Sequence, residues 1–244
     1  MTVFLTSSPT GPLGVPCDRP DLDRSNGFVE RLGRLWPENA RCLMIAAFPA
    51  EHERNDQMTW FYAEAVKNAG LSSSCFDLWD DRTPPLSREQ LHAYHAVFLA
   101  GGHVPTQRRW FETIGLRGLL AGYEGLVIGT SAGSMNAVEE VYGWPEEPGE
   151  SIDPGHELFF PGLGLARTVI LPHYQMMKDA WLDGKRLFAD ITLPHSVGKV
   201  FYAIPDGSYV VADAAGETLY GESWRLAQGR MEKYSQPGDR VRLL

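Results

Sequence analysis

"LVIGTSAGSMNAV", residues 126–138, runs apolar for three residues, turns through Gly129, Thr130, Ser131, Ala132 and Gly133, and resumes with helical spacing. A serine thereby stands where a strand ends and a helix begins. In an open α/β sheet, ligands bind outside the carboxyl ends of the strands, and a G-x-S-x-G turn holds its serine on a tight elbow there. Gly129 and Gly133 supply the room. The Ala132 N–H points toward an incoming carbonyl oxygen, and the new helix turns its positive end to the developing charge. The same residues also suit a serine-capped helix after a glycine turn, so the elbow needs support from the rest of the chain.

The flanking sequence supplies the sheet. "TVFLTS" (2–7), "CLMIAAF" (42–48), "SCFDLW" (74–79), "AVFLAG" (96–101) and "GLVIGT" (125–130) are short apolar runs closed by Gly, Pro or Ser, as buried parallel strands require. Helical patterns lie between them. Phe28, Val29, Leu32, Leu35 and Trp36 recur at helix spacing, with Ser25 or Asn26 placed to cap and Pro37 to stop. Phe61, Ala65, Val66 and Ala69 repeat the pattern before Gly70; Ser87 and Gln90 have capping-box spacing; Trp110, Ile114, Leu119 and Leu120 mark a longer helix after Pro105. The alternation predicts a doubly wound, mostly parallel sheet with helices on both faces. From about residue 199 the texture changes to short strands around Asp206-Gly207, Ala215-Gly216 and Gly229, which predicts antiparallel hairpins closing one edge of the sheet. Residues 143–164, rich in Pro, Gly and acids, read as a functional loop. With 244 residues, 43% of them hydrophobic, one domain over 1–244 is the expectation.

Composition narrows the function. A net charge of −9 is the wrong sign for a general nucleic-acid binder. No apolar run reaches the roughly 18 residues of a membrane span, and "MTVFLTSSPTGP" lacks the features of a signal peptide, so a cytoplasmic protein is expected. Cys17, Cys42 and Cys75 are widely spaced and form no C-x-x-C pair, which predicts reduced thiols and neither a disulfide framework nor a zinc site.

A nucleophilic serine needs a base. His52, His92 and His95 lie in or beside helical segments, where packed or solvated imidazoles are ordinary, and His195 follows Pro194 in a turn. His173 differs: "ARTVILPHYQ" is a strand ending in Pro-His, which delivers the imidazole to the same sheet edge as Ser131, 42 positions away. A carboxylate should fix its tautomer. Between elbow and histidine the chain offers Glu146, Glu147, Glu150 and Asp153. Glu150 is the choice, because it sits late enough for the chain to double back toward His173; Glu147 and Glu146 follow. A second oxyanion donor is sought at Gly101-Gly102, where "FLAGGHVPT" ends the preceding strand and missing side chains let backbone approach a substrate.

The ordered set "FLAGG", "GTSAGSMNA", a Pro/acid loop, "GLGLARTVILPHY" and "IPDGSYVV" resembles the dipeptidase E and cyanophycinase family of serine peptidases, strongly over roughly 95–213. The resemblance implies a class I glutamine amidotransferase-like fold with serine in place of that fold's cysteine. It further implies a Ser-His-Asp/Glu triad, no metal or other cofactor, and cleavage after an aspartyl residue of a small peptide. Ser131 is then the nucleophile, His173 the base, and the N–H groups of Gly102 and Ala132 the oxyanion donors. His103 stands where the family usually has asparagine, making it a substrate contact. Lys185 and Arg186 correspond to the basic residues that grip the substrate carboxylate, with Arg108 and Arg109 as rivals; Arg186 is favoured because its fork binds a carboxylate bidentately. A small peptide is the expected partner, with no nucleic acid or membrane, in a monomer or homodimer. A serine esterase or amidase of the same fold, or a non-peptidase ligand-binding relative, is the alternative.

Overall fold

The computed structural model describes residues 1–11 and 19–244, so Cys17 lies outside the described residues. All five expected strands form and lie side by side. They are β1 (Thr2–Thr6), β2 (Ala40–Ile45), β3 (Ser73–Trp79), β4 (Ala96–Leu99) and β5 (Leu126–Thr130). Near-continuous apolar runs suit strands covered on both faces, and the side-chain alternation shows that cover directly. Val3, Leu5, Leu43, Ile45, Val97, Leu99 and Val127 point into one core cluster. Phe4, Cys42, Met44, Phe98 and Ile128 point into the other.

Two helices pack on the second face. α1 (Phe28–Gly33) buries Phe28, Val29 and Leu32, and α2 (His52–Asn68) buries Tyr62, Ala65 and Val66. The expected cap at Ser25 or Asn26 is absent: Gly27, in the left-handed conformation at φ 70°, precedes α1 without any side-chain cap bond. The capping box at Ser87 and Gln90 opens α3 (Arg88–His92) with both reciprocal bonds in place. The single helix expected after Pro105 is two, α4 (Val104–Thr113) and α5 (Leu116–Leu119), because Gly115 at φ 63° breaks the run. After β5 comes the short α6 (Ala132–Asn136), every residue of which is buried.

The next strands leave the large sheet. β6 (Glu140–Tyr142) pairs with β7 (Phe159–Pro161), which lies within the Pro/acid loop. β8 (Val169–Leu171) leads through Pro172 and His173 into α7 (Tyr174–Met177). A hairpin of β9 (Trp181–Leu182) and β10 (Lys185–Arg186) and the turn α8 (Leu193–His195) follow.

The C-terminal third divides between two sheets. β12 (Tyr209–Asp213), β13 (Gly216–Tyr220) and β16 (Arg240–Arg242) extend the parallel sheet antiparallel beyond β1, in the order β16-β13-β12-β1-β5-β4-β2-β3. This is the expected edge hairpin. The remaining strands, β11 (Val200–Ala203), β14 (Ser223–Ala227) and β15 (Arg230–Ser235), instead join β8 in a separate sheet ordered β15-β14-β11-β8. Within it β8 and β11 run parallel, with Leu171 beside Ala203, so the chain leaves both strands at the same end. Among the described residues no helix is long and apolar enough to cross a membrane.

Candidate active site

Register places three chain exits together. β1 and β5 are parallel neighbours with Thr6 beside Thr130, so Ser7 and Ser131 are the next residues on adjacent strands. β12 runs antiparallel to β1 with Tyr209 beside Thr6, so the loop entering β12 meets the end of β1 from its other side. That loop is Ile204–Ser208, and it contains Asp206. Because β11 delivers this loop and β8 delivers His173, the parallel pair of the smaller sheet brings both residues to the edge where Ser131 stands.

Ser131 holds φ 49° and ψ −115°, a conformation that costs on the order of 1–3 kcal/mol for a residue with a side chain. Its N–H compensates by donating to the carbonyls of Thr6 (3.0 Å) and Ser7 (3.2 Å), and its own carbonyl accepts from Met135 (3.0 Å). The elbow glycines are required by packing. A Cβ on Gly129 would lie 2.7 Å from Ser134 Cα, and one on Gly133 would lie 2.2 Å from the Leu99 carbonyl oxygen. Ser134 then locks α6 to β1, accepting from Thr6 N and donating to Thr6 O, each at 2.9 Å. Gly101 runs beside the elbow: a Cβ there would be 3.6 Å from Ser131 Cβ. One on Gly102 would strike Ala47 and Phe48 at 2.5 and 2.7 Å. Glycine at 101 lets this backbone run beside the serine, and glycine at 102 keeps it clear of Ala47 and Phe48.

His173 is the second strained residue, at φ 57°, and its ring Nδ1 lies 2.7 Å from Asp206 Oδ1. The Asp206 side chain is only 1% exposed. Its Oδ2 accepts from Gln175 Nε2 (2.6 Å), while its backbone N–H donates to Gln175 Oε1 (3.1 Å). A buried carboxylate against Nδ1 selects the tautomer protonated there and leaves the Nε2 lone pair for proton transfer. The Tyr62 hydroxyl, 2.9 Å from Thr130 Oγ1, backs the elbow from α2, and burial pushes its pKa up to about 12.

Glu150 does not meet His173. Its Oε1 lies 2.8 Å from His103 Nε2, and its Oε2 accepts from the backbone N–H groups of Glu146 (2.8 Å) and Glu147 (3.0 Å). Glycine and acid in the loop wrap Glu150 toward α4, whereas the partner of His173 comes from beyond it in sequence. Burial alone would raise the Glu150 carboxyl, but the two N–H bonds and His103 outweigh it and hold the group below its ordinary value. Glu146 goes the other way. Burial, together with Glu150 and Glu147, pushes it up to about 8. Asp153 is spent within the loop, accepting from Gly155 N at 2.8 Å.

The basic residues are engaged as well. Arg186, on β10, gives Nε and Nη2 to Asp190 at 2.9 and 2.6 Å, which holds Asp190 at about 2. Arg108 pairs with Glu112 (2.8 Å) and Glu157 (2.5 Å) and stacks on Phe160. Arg109 donates to Thr106, and Lys185 is exposed beside Arg186; neither makes an ion pair among the described residues. His103 precedes α4 at its N-cap position without a side-chain cap bond, and its Nδ1 lies 2.8 Å from Thr106 Oγ1. For a metal, the described residues bring one group together: His103, Glu147 and Glu150 offer ligand atoms within 4.8 Å of one another. Two of those three already bond each other. His195 contacts Tyr142 Oη, while His52, His92 and His95 bond Asp81, Leu119 O and Arg41 N.

No protein-family model and no curated protein matches the sequence. Solved structures do match the fold. A peptidase from an acI-B1 Actinobacterium superposes with a TM-score of 0.65 at 15% identity, over 99% of this chain and 96% of that one. A "Putative Peptidase E Protein" from Listeria monocytogenes EGD-e superposes with a TM-score of 0.58, also at 15% identity, over 96% of this chain and 98% of its own. The chain therefore has the fold of these peptidase structures along nearly its whole length.

Proposed function

We propose that this protein is a serine peptidase of the peptidase E kind, with Ser131 as nucleophile, His173 as general base and Asp206 as the carboxylate that orients the imidazole. The observation that carries this reading is the 2.7 Å contact between His173 Nδ1 and a carboxylate that is 1% exposed, at the sheet edge where the strained Ser131 ends β5. Two non-glycine residues with left-handed φ, a buried acid and a glycine-lined backbone at one edge are expensive to hold together without a chemical use. The fold shared with two peptidase structures supports the same reading.

The reaction is acyl transfer. His173 Nε2 takes the hydroxyl proton as Ser131 Oγ attacks the carbonyl carbon, and the N–H groups of Ala132 and Gly102 receive the oxyanion. The imidazolium, bonded to Asp206, gives that proton to the leaving amine, and the acyl-enzyme forms. Water then repeats the sequence and frees the serine.

For the substrate we infer a small peptide. An aspartyl residue on the acyl side, which the sequence resemblance implies, needs a cation. Arg186, Arg108 and His103 each face a carboxylate of the protein itself, which leaves Lys185 and Arg109 as the groups able to serve without breaking a pair. Turnover of an aspartyl, an asparaginyl and a lysyl dipeptide by wild type and Ser131→Ala tests the reading: hydrolysis of any of them lost in a folded Ser131→Ala protein supports it, and unchanged hydrolysis overturns it.

A further inference from the structure

Ser7, the residue that follows β1, is fully buried and touches Ser131, His173 and Asp206. Its carbonyl accepts from Ser131 N at 3.2 Å. Its hydroxyl accepts from His173 N at 2.7 Å and donates to Asp206 Oδ1 at 2.5 Å. The remaining lone pair faces His173 Nδ1 at 3.3 Å. A hydroxyl has one proton and two lone pairs, and all three are used on the histidine and its carboxylate.

We propose that Ser7 is a positioning residue for the reaction, acting through His173 and Asp206, an inference that rests on the serine-peptidase reading above. Left-handed backbone at His173 is unfavourable for an L-residue, and the bond from its N–H to Ser7 Oγ pins it. Asp206 Oδ1 receives the hydroxyl proton beside the ring N–H, so the carboxylate is fixed from two directions and its rotation relative to the ring is stopped. Gln175 holds the other oxygen. The register of β1 against β5 then couples this unit to the elbow, because the same residue bonds Ser131 through its backbone. Ser7 thus sets the distance between nucleophile and base without touching the substrate.

The test uses the full chain with Ser7→Ala and the near-isosteric Ser7→Cys, whose thiol is a weaker donor and acceptor. A misplaced base acts on the chemical step, so kcat for the best dipeptide should fall about 10- to 100-fold in Ser7→Ala with KM within about twofold, and Ser7→Cys should fall between the two. An unfolded fraction would also lower apparent kcat at unchanged KM, so kcat is counted per folded molecule, with the folded fraction read by circular dichroism. The second readout needs no turnover: the His173 Nδ1 proton, held on a carboxylate, gives a downfield NMR resonance that Asp206→Asn removes. In Ser7→Ala it should exchange with water at least tenfold faster or vanish. A folded Ser7→Ala protein with kcat within threefold of wild type and an unchanged resonance overturns the proposal. If wild type hydrolyses no dipeptide, the peptidase reading fails separately, and the resonance alone still decides whether Ser7 positions His173.

Discussion

His173 Nδ1 sits 2.7 Å from Oδ1 of Asp206, a residue 33 positions further along the chain, while Glu150 is bonded to His103. Asp206→Asn keeps the shape but lets the amide NH₂ face Nδ1, which selects the wrong tautomer; kcat should fall by about 10⁴, the size of the loss when the triad aspartate is amidated in trypsin-like enzymes. Glu150→Gln should cost less than tenfold. Steady-state kinetics on both variants separate them, and a larger loss in Glu150→Gln would return the role to the loop acid.

Glu146 predicts a pH signature of stability. Its folded value is about 8 against an ordinary 4.5, so between these values the folded state binds a proton that the unfolded state has released. Stability from this group is therefore complete below about pH 4.5, falls as pH rises to about 8, and is flat above. Glu146→Gln, which cannot ionise, should be more stable than wild type at pH 9 by at least ~1 kcal/mol, or about 2–4 °C in Tm, and equal to it near pH 4. Thermal unfolding at the two pH values checks this; a variant equally or less stable at pH 9 contradicts it.

The elbow makes a packing prediction. Gly133→Ala would place Cβ against the Leu99 carbonyl, and the strand and helix must separate to admit it, which should cost about 1–3 kcal/mol. Gly118→Ala, in α5 with nothing within 4 Å of the new Cβ, should instead stabilise by about 0.5–1 kcal/mol. Denaturant titration of both variants reads the opposite signs.

Arg186 predicts no effect on charge preference. Because its fork is closed on Asp190, Arg186→Ala should leave the ratio of kcat/KM for aspartyl over asparaginyl dipeptides within about twofold. A tenfold fall in that ratio would mean that the arginine leaves Asp190 for the substrate.

Much of this architecture is legible in the sequence because local signals agree with the tertiary result. The runs of β1, β2, β4 and β5 are strands covered on both faces, β3 is a part-exposed strand at the sheet's edge, and "GTSAGSMNA" is an elbow since its glycines answer real collisions. The helix after Pro105 breaks at Gly115 because a glycine in a helical pattern also permits left-handed backbone, and periodicity alone does not choose. Asp206 is the instructive case. Asp-Gly before "SYVV" reads as a turn opening a strand, and it is one; its place beside His173 depends on β12 running antiparallel to β1, which puts the start of that strand at the end of β1. No local pattern encodes that direction. The same holds for Ser7, whose partners come from 124, 166 and 199 positions away. Glu150 lies between elbow and histidine in sequence, yet its carboxylate is consumed by its own loop and by His103.

Covalent labelling reads out whether Ser131 is a nucleophile activated by His173 and Asp206. Incubation with a fluorophosphonate followed by intact-mass analysis and peptide mapping should give one adduct per chain, on Ser131, at a rate at least about 100-fold lower in Asp206→Asn and with no adduct in Ser131→Ala. An unlabelled wild type, an adduct on another residue, or labelling of Asp206→Asn at the wild-type rate would contradict it.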